Sequence, residues 1–142
     1  MTQNRLIFYH KQHTSARLRF LKFASGSICA PDPLPELSQL LDSTINRYDE
    51  DDNIVTHPAR LLHEASDRLG LDIESLKVQG GYHARVDTSN GMVQVYLTEL
   101  TTMDPPFDRA SDIDAEFIEL TQARGLAVVE LELLRLAYEY VM

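Results

Sequence analysis

Apolar residues along this chain follow two different periods. Residues 5–10 (RLIFYH) and 17–23 (RLRFLKF) are short runs of aromatic and branched side chains separated by His13-Thr14-Ser15-Ala16. That pattern predicts a β-hairpin. Ser25-Gly26-Ser27 ends the second strand, and Pro31, Pro33 and Pro35 punctuate the connection to the next element. The period then changes. Leu34, Leu37, Leu41, Ile45 and Tyr48 recur at steps of three and four, which predicts a helix with Asp32 as N-cap and Pro33 at its first position. The polar run Asp49–Asn53 should end it. A second helix is expected from Thr56, with Leu61, Leu62, Ala65 and Leu69 inward and Arg60, Glu64 and Arg68 along the outer side. Gly70 then supplies a left-handed end closed by Leu71.

A second hairpin is expected from Tyr82–Thr88 and Met92–Thr102 around Asn90-Gly91, a dipeptide suited to a type I′ turn. Asp104-Pro105-Pro106-Phe107 stops the strand, because proline cannot donate to a ladder. Ser111 with Asp114 resembles a capping box for a third helix, with Ile113, Phe117 and Leu120 inward and Gly125-Leu126 at its end. A fourth helix runs from about Val128 to Val141. The expected order is therefore ββααββαα: an α+β fold of two hairpins in an antiparallel sheet, with four main helices packed on one face. A length of 142 residues fits one domain spanning 1–142.

The last helix carries more apolar surface than one buried face needs. Leu131, Leu134, Tyr138 and Val141 form one stripe, while Val129, Leu133, Leu136 and Tyr140 form another; Glu130, Glu132, Arg135 and Glu139 are its polar positions. Either the helix is central to the monomer, or the second stripe (Val129, Leu133, Leu136, Tyr140) is an interface. A homodimer is the expectation.

Charge changes the picture further. Residues 1–24 contain Arg5, Lys11, Arg17, Arg19 and Lys22 and no acidic residue, whereas the rest holds all 22 acidic residues against eight basic ones. An acidic body disfavours nucleic acid and anionic membranes as partners, and the basic hairpin fits internal pairing better than a nucleic-acid arm. No apolar run approaches the roughly 18 residues of a membrane span. The single cysteine, Cys29, allows no disulfide within the chain and fits a cytoplasmic setting.

Candidate chemistry is sparse. His10 and His13 are spaced H-x-x-H, but two imidazoles among basic residues make an incomplete metal site. His57 and His63 lack zincin spacing. An EF-hand loop starting at Asp49 would place Ile54 where glycine is needed and Arg60 where glutamate is needed. No metal and no cofactor are expected. Gly80-Gly81 reads as a bulge or strand entry. His83, Arg85 and Asp87 share one strand face, and Asp104, Phe107, Asp108 and Arg109 belong to a rigid connector that serves as a pocket rim if these groups converge. Cys29 has no local signature of a nucleophile.

The sequence supports two functional expectations. The first is a non-catalytic binding or protein-interaction module acting as a homodimer. The alternative is a small enzyme or metabolite-sensing domain that binds a small anionic molecule near the second hairpin and the Asp104–Arg109 connector.

Overall fold

The computed structural model describes residues 3–12, 14–45 and 59–142. Seven strands form one sheet: β1 (Gln3–Lys11), β2 (Leu18–Lys22), β3 (Cys29–Ala30), β4 (Gln39–Ile45), β5 (Leu76–Thr88), β6 (Gly91–Leu100) and β7 (Glu116–Ile118). Their order is β4-β5-β6-β1-β2-β7, with β3 also paired to β1. Three α-helices accompany them, α1 (Ala59–Leu69), α2 (Phe107–Asp112) and α3 (Val128–Val141), with 3-10 turns at Ile73–Ser75 and Leu120–Gln122.

Both hairpins form as expected, and the two are joined by a parallel pairing of β1 with β6, from Gln3 opposite Val93 to Tyr9 opposite Glu99. This makes β1 an interior strand with both faces covered, which is why Leu6 to Tyr9 are apolar without interruption. Ile7 and Tyr9 pack with Val95, Leu97, Leu133 and Leu134 beneath α3. Leu6 and Phe8 pack with Tyr96, Leu100, Ala65 and Ala110 on the face carrying α1 and α2.

The expected ββααββαα order with four helices on one face is therefore overturned: the fold is α+β, but with a mostly antiparallel seven-stranded sheet, three α-helices among the described residues, and helices on both faces. Over the described residues 32–45, the expected helix is instead irregular, turn-containing chain leading into edge strand β4. Leu37, one of its supposed inward residues, is 93% exposed and left-handed at φ +65, so no helix can pass through it. The helix expected from Ser111 is a shorter one that ends there. Asp114 takes the left-handed conformation (φ +57) as α2 closes, with Ala115 N donating to Ala110 O at 2.8 Å, and Phe117 lies in β7.

Other local readings hold. Gly70 is left-handed at φ +68, with Leu71 N donating to Ser66 O at 3.1 Å, so α1 ends as its glycine demands. The register of β5 against β6 slips between Val78 and His83, which places Gly80-Gly81 in a bulge. In the second hairpin, however, Thr88 pairs with Gly91, so the turn is centred on Ser89-Asn90 and only Gly91 has positive φ. Tyr48, the Asp49–Asn53 loop, Thr56, His57 and His13 lie outside the described residues. Among those described, no helix is long and apolar enough to cross a membrane.

Two polar atoms in this core have no hydrogen-bond partner among the described residues: His10 Nδ1 and Thr98 Oγ1, both on fully buried side chains. His10 Nε2 lies 2.7 Å from Thr102 O, so only one side of its ring is satisfied. An unpaired buried hydroxyl costs about 1–3 kcal/mol. Thr98→Val, nearly isosteric, is expected to raise stability by about 1 kcal/mol in urea denaturation; a loss of stability would mean that the hydroxyl has a partner.

Candidate functional site

The strand alongside β1 is broken. Phe20 of β2 pairs with Tyr9, and Cys29 of β3 pairs with Ile7, so the residues between them are extruded as a loop. The loop closes on itself: Phe23 N donates to Ser27 O at 2.8 Å and Gly26 N to Phe23 O at 2.9 Å. Gly26 sits at φ +88, where a side chain would be strained. Phe23 packs with the α1–α2 cluster, edge-on to Phe8 with ring centres 6.3 Å apart, while Ile28 packs under α3. The loop thus straddles both layers.

Two clefts open on either side of it. The larger, about 770 Å³, lies between α1 and the Ala30–Pro33 stretch. Phe23, Ala30, Pro31, Leu61, Ala65 and Ile113 give it apolar walls, and Asp32, Glu64, Asp67 and Arg68 stand among its polar lining. Its lip is held from below by the buried Arg5 of β1, whose Nε donates to Asp32 O at 2.8 Å and Nη2 to Pro33 O at 3.5 Å. The second cleft, about 650 Å³, is lined by Lys22, Phe107, Ser111 and Phe117 and shares Phe23 and Ala24 with the first.

The foot of the loop is fixed by Glu130, which lies in the first turn of α3 and is only 4% exposed. Its Oε2 accepts from Ser27 Oγ at 2.7 Å and its Oε1 from Ile28 N at 3.1 Å; Ser27 Oγ in turn accepts from Cys29 N at 3.0 Å. An intramolecular hydrogen bond contributes about 0.5–1.5 kcal/mol net, and leaving a buried partner unsatisfied costs about 1–3 kcal/mol. Cys29 is buried beside this group. Burial, reinforced by Glu130, pushes its thiol pKa well above the usual range, which removes the thiolate a nucleophile needs.

The residues picked out in the sequence fall elsewhere. His83, Arg85 and Asp87 do share a face of β5. Strand pairing there builds a polar row, Asp42–Arg85–Gln94–Asn4, across four strands, with Thr44, His83 and Tyr96 in the next. His83 Nε2 lies 2.9 Å from Gln94 Oε1, which also accepts from Tyr96 OH at 3.0 Å. Arg85 forms a bidentate pair with Asp42, which holds the Asp42 carboxyl below the usual range. Asp104 follows the opposite end of β6 from Asp87 and accepts from Gln12 Nε2 at 3.2 Å. The connector and the β5 trio are not brought together. Phe107 is 53% exposed, with the Arg19 guanidinium 5.6 Å above its ring centre and Phe117 edge-on. Asp108 is exposed, and Arg109 reaches Asp112 at 3.8 Å.

The α3 stripe also turns inward in part. Val129 is buried and Leu133 fully so within the chain, Leu136 and Tyr140 are half-buried, and Tyr140 OH donates to Gln79 Oε1 at 3.3 Å. Tyr138 and Met142 are what the helix leaves most open among its large apolar residues near the C-terminus. The basic hairpin is occupied at home: Arg17 pairs with Glu119 at 2.7 Å, and Lys11 Nζ donates to Val141 O at 3.5 Å, where the α3 dipole favours a cation. Sequence reasoning missed the cleft because its walls come from four separate segments. The one local signal was Ser25-Gly26-Ser27 followed by a proline series, which marked a loop without saying what it faced.

Comparison with known protein families finds no match for this chain, and comparison with curated proteins finds none either.

The electrostatics have a measurable consequence. Arg17 holds Glu119, as Arg85 holds Asp42, below the ordinary carboxylate range. Stability from these pairs is fully present above the unfolded carboxylate pKa of about 4 and is lost as pH falls through the lower folded values. Urea midpoints from pH 7 to 2 should fall below about pH 4, and the variant carrying Asp42→Asn and Glu119→Gln should lack part of that slope; identical slopes would refute the assignment. Cys29 should not react with a disulfide reagent such as DTNB in the native protein and should release one thiol equivalent in denaturant.

Proposed function

We propose that this chain is a non-catalytic binding module whose ligand, a small molecule with an apolar body and a polar end, occupies the cleft between α1 and β3. The observation that carries this reading is the cleft itself: about 770 Å³, with apolar walls and charged residues in its lining. Pockets of about 300–1,000 Å³ with few polar groups are the usual form of small-molecule sites. Its walls come from α1, the Ala30–Pro33 stretch and the extruded loop. Binding rather than catalysis is supported by the inert Cys29 thiol and by the pairing of Arg85 with Asp42. The lone buried cysteine supports a reducing setting, and we place the protein in the cytoplasm.

Titration with p-cresol, followed by amide NMR, tests this. Saturable shifts should concentrate at Phe23, Ala30, Leu61 and Ala65. Ser25→Trp, an exposed position lining this cleft, should abolish them, while Ser25→Ala, which loses the same 3.4 Å contact of Ser27 N with Ser25 Oγ but adds no bulk, should retain them. Shifts that are unsaturable, that map to the His83–Arg85 face, or that survive Ser25→Trp overturn the reading.

A further inference from the structure

The wall between the two clefts is linked by a chain of contacts to the helix on the other side of the sheet. Phe23 and Ala24 stand between the clefts, and besides the Gly26 N to Phe23 O bond within the loop, two contacts tie them to the rest of the molecule. One is the packing of Phe23 on Phe8; the other is the hydrogen bond from Phe23 N to Ser27 O. Ser27 is itself buried and fixed by Glu130. The chain of contacts runs from α3 through Glu130 to Ser27, and from Ser27 to the wall.

Glu130 suits this task chemically. Ser27 Oγ and Ile28 N are adjacent donors, and a group with two acceptor oxygens satisfies both at once. A glutamine offers only one such oxygen, and an alanine none. The carboxyl group lies in the first turn of a helix packed on Val95 and Leu97, so it is anchored in the core rather than in the loop it contacts.

We propose that Glu130 is a positioning residue for the α1–β3 cleft, acting through Ser27 on the Phe23–Ala24 wall. This rests on the cleft being the ligand site. The wall is common to both clefts, so its displacement widens one at the expense of the other and changes what the larger cleft accepts.

The test compares Glu130→Ala and Ser27→Ala with Ala137→Gly, which weakens the same helix at a buried position two turns beyond Glu130 and leaves the Glu130–Ser27 contact in place. Two readouts are used. The first is p-cresol affinity: Glu130→Ala should weaken it by about tenfold, within the coupling that packed networks carry, Glu130→Gln by less, and Ala137→Gly not at all. The second uses Phe23→Trp, a unique reporter because the chain has no tryptophan. Acrylamide quenching of its indole should rise when Glu130→Ala or Ser27→Ala is added, and stay unchanged with Ala137→Gly. If Glu130→Ala does not fold, Ser27→Ala carries both readouts. Unchanged quenching and affinity in the folded variants overturn the positioning role. Absence of p-cresol binding in the wild type overturns the cleft reading and, with it, the link to ligand, while quenching still reports whether Glu130 holds the wall.

Discussion

The structure depends on one strand having neighbours on every side. β1 pairs in parallel with β6 along one edge and with β2 and β3 along the other, with α3 over one face and the α1–α2 layer over the opposite one. Leu6, Ile7 and Phe8 are fully buried as a result. Two hairpins that could each form locally are thereby fused into one sheet, because neither can bury the residues of β1 alone. Parallel pairing of segments ninety residues apart is costly in loop entropy, and burial on both faces offsets it.

The candidate site grows out of the same strand. Its second edge is shared by two partners, and the chain passing from one to the other must leave the ladder. That departure is the Phe23–Ile28 loop, and the cleft exists because the loop, the proline stretch and α1 surround a gap that no side chain of β1 fills. Arg5 and Glu130, both buried, hold the lip and the loop by hydrogen bonds to backbone atoms or to Ser27. Such contacts resist salt and define geometry, which is what a binding wall requires.

Much of the local structure was legible in the residues, and much of the site was not. The hairpins, the end of α1 at Gly70, the bulge at Gly80-Gly81 and all of α3 follow from period and turn chemistry. The helix expected across Leu34–Tyr48 failed because a periodic row of leucines says nothing about competing strand pairing: Leu40 and Ile45 are drawn to the core beside β5 while Leu37 and Leu41 are left in solvent. The helix expected from Ser111 failed because a capping-box pattern and a helix end both use short polar residues, and Asp114 accepts the left-handed conformation that closes α2. In the sequence Glu130 is only one of the four polar positions of α3. Its burial depends on Ser27, about a hundred residues earlier in the chain, and no local pattern encodes that meeting. The trio on β5 was correctly placed on one face, but its supposed partners in the connector lie beyond the far end of β6.

Native-state hydrogen exchange tests the central claim most directly, that β1 binds the two hairpins into one cooperative unit. The account predicts that the slowest amides of β1, at Leu6 to Tyr9, and of β6, at Val95 to Leu97, exchange only through global unfolding and share one opening free energy and one denaturant dependence. If the β1 amides instead open together with β2 at a distinctly lower free energy, while β5 and β6 stay protected, the hairpins are separable and the account is wrong.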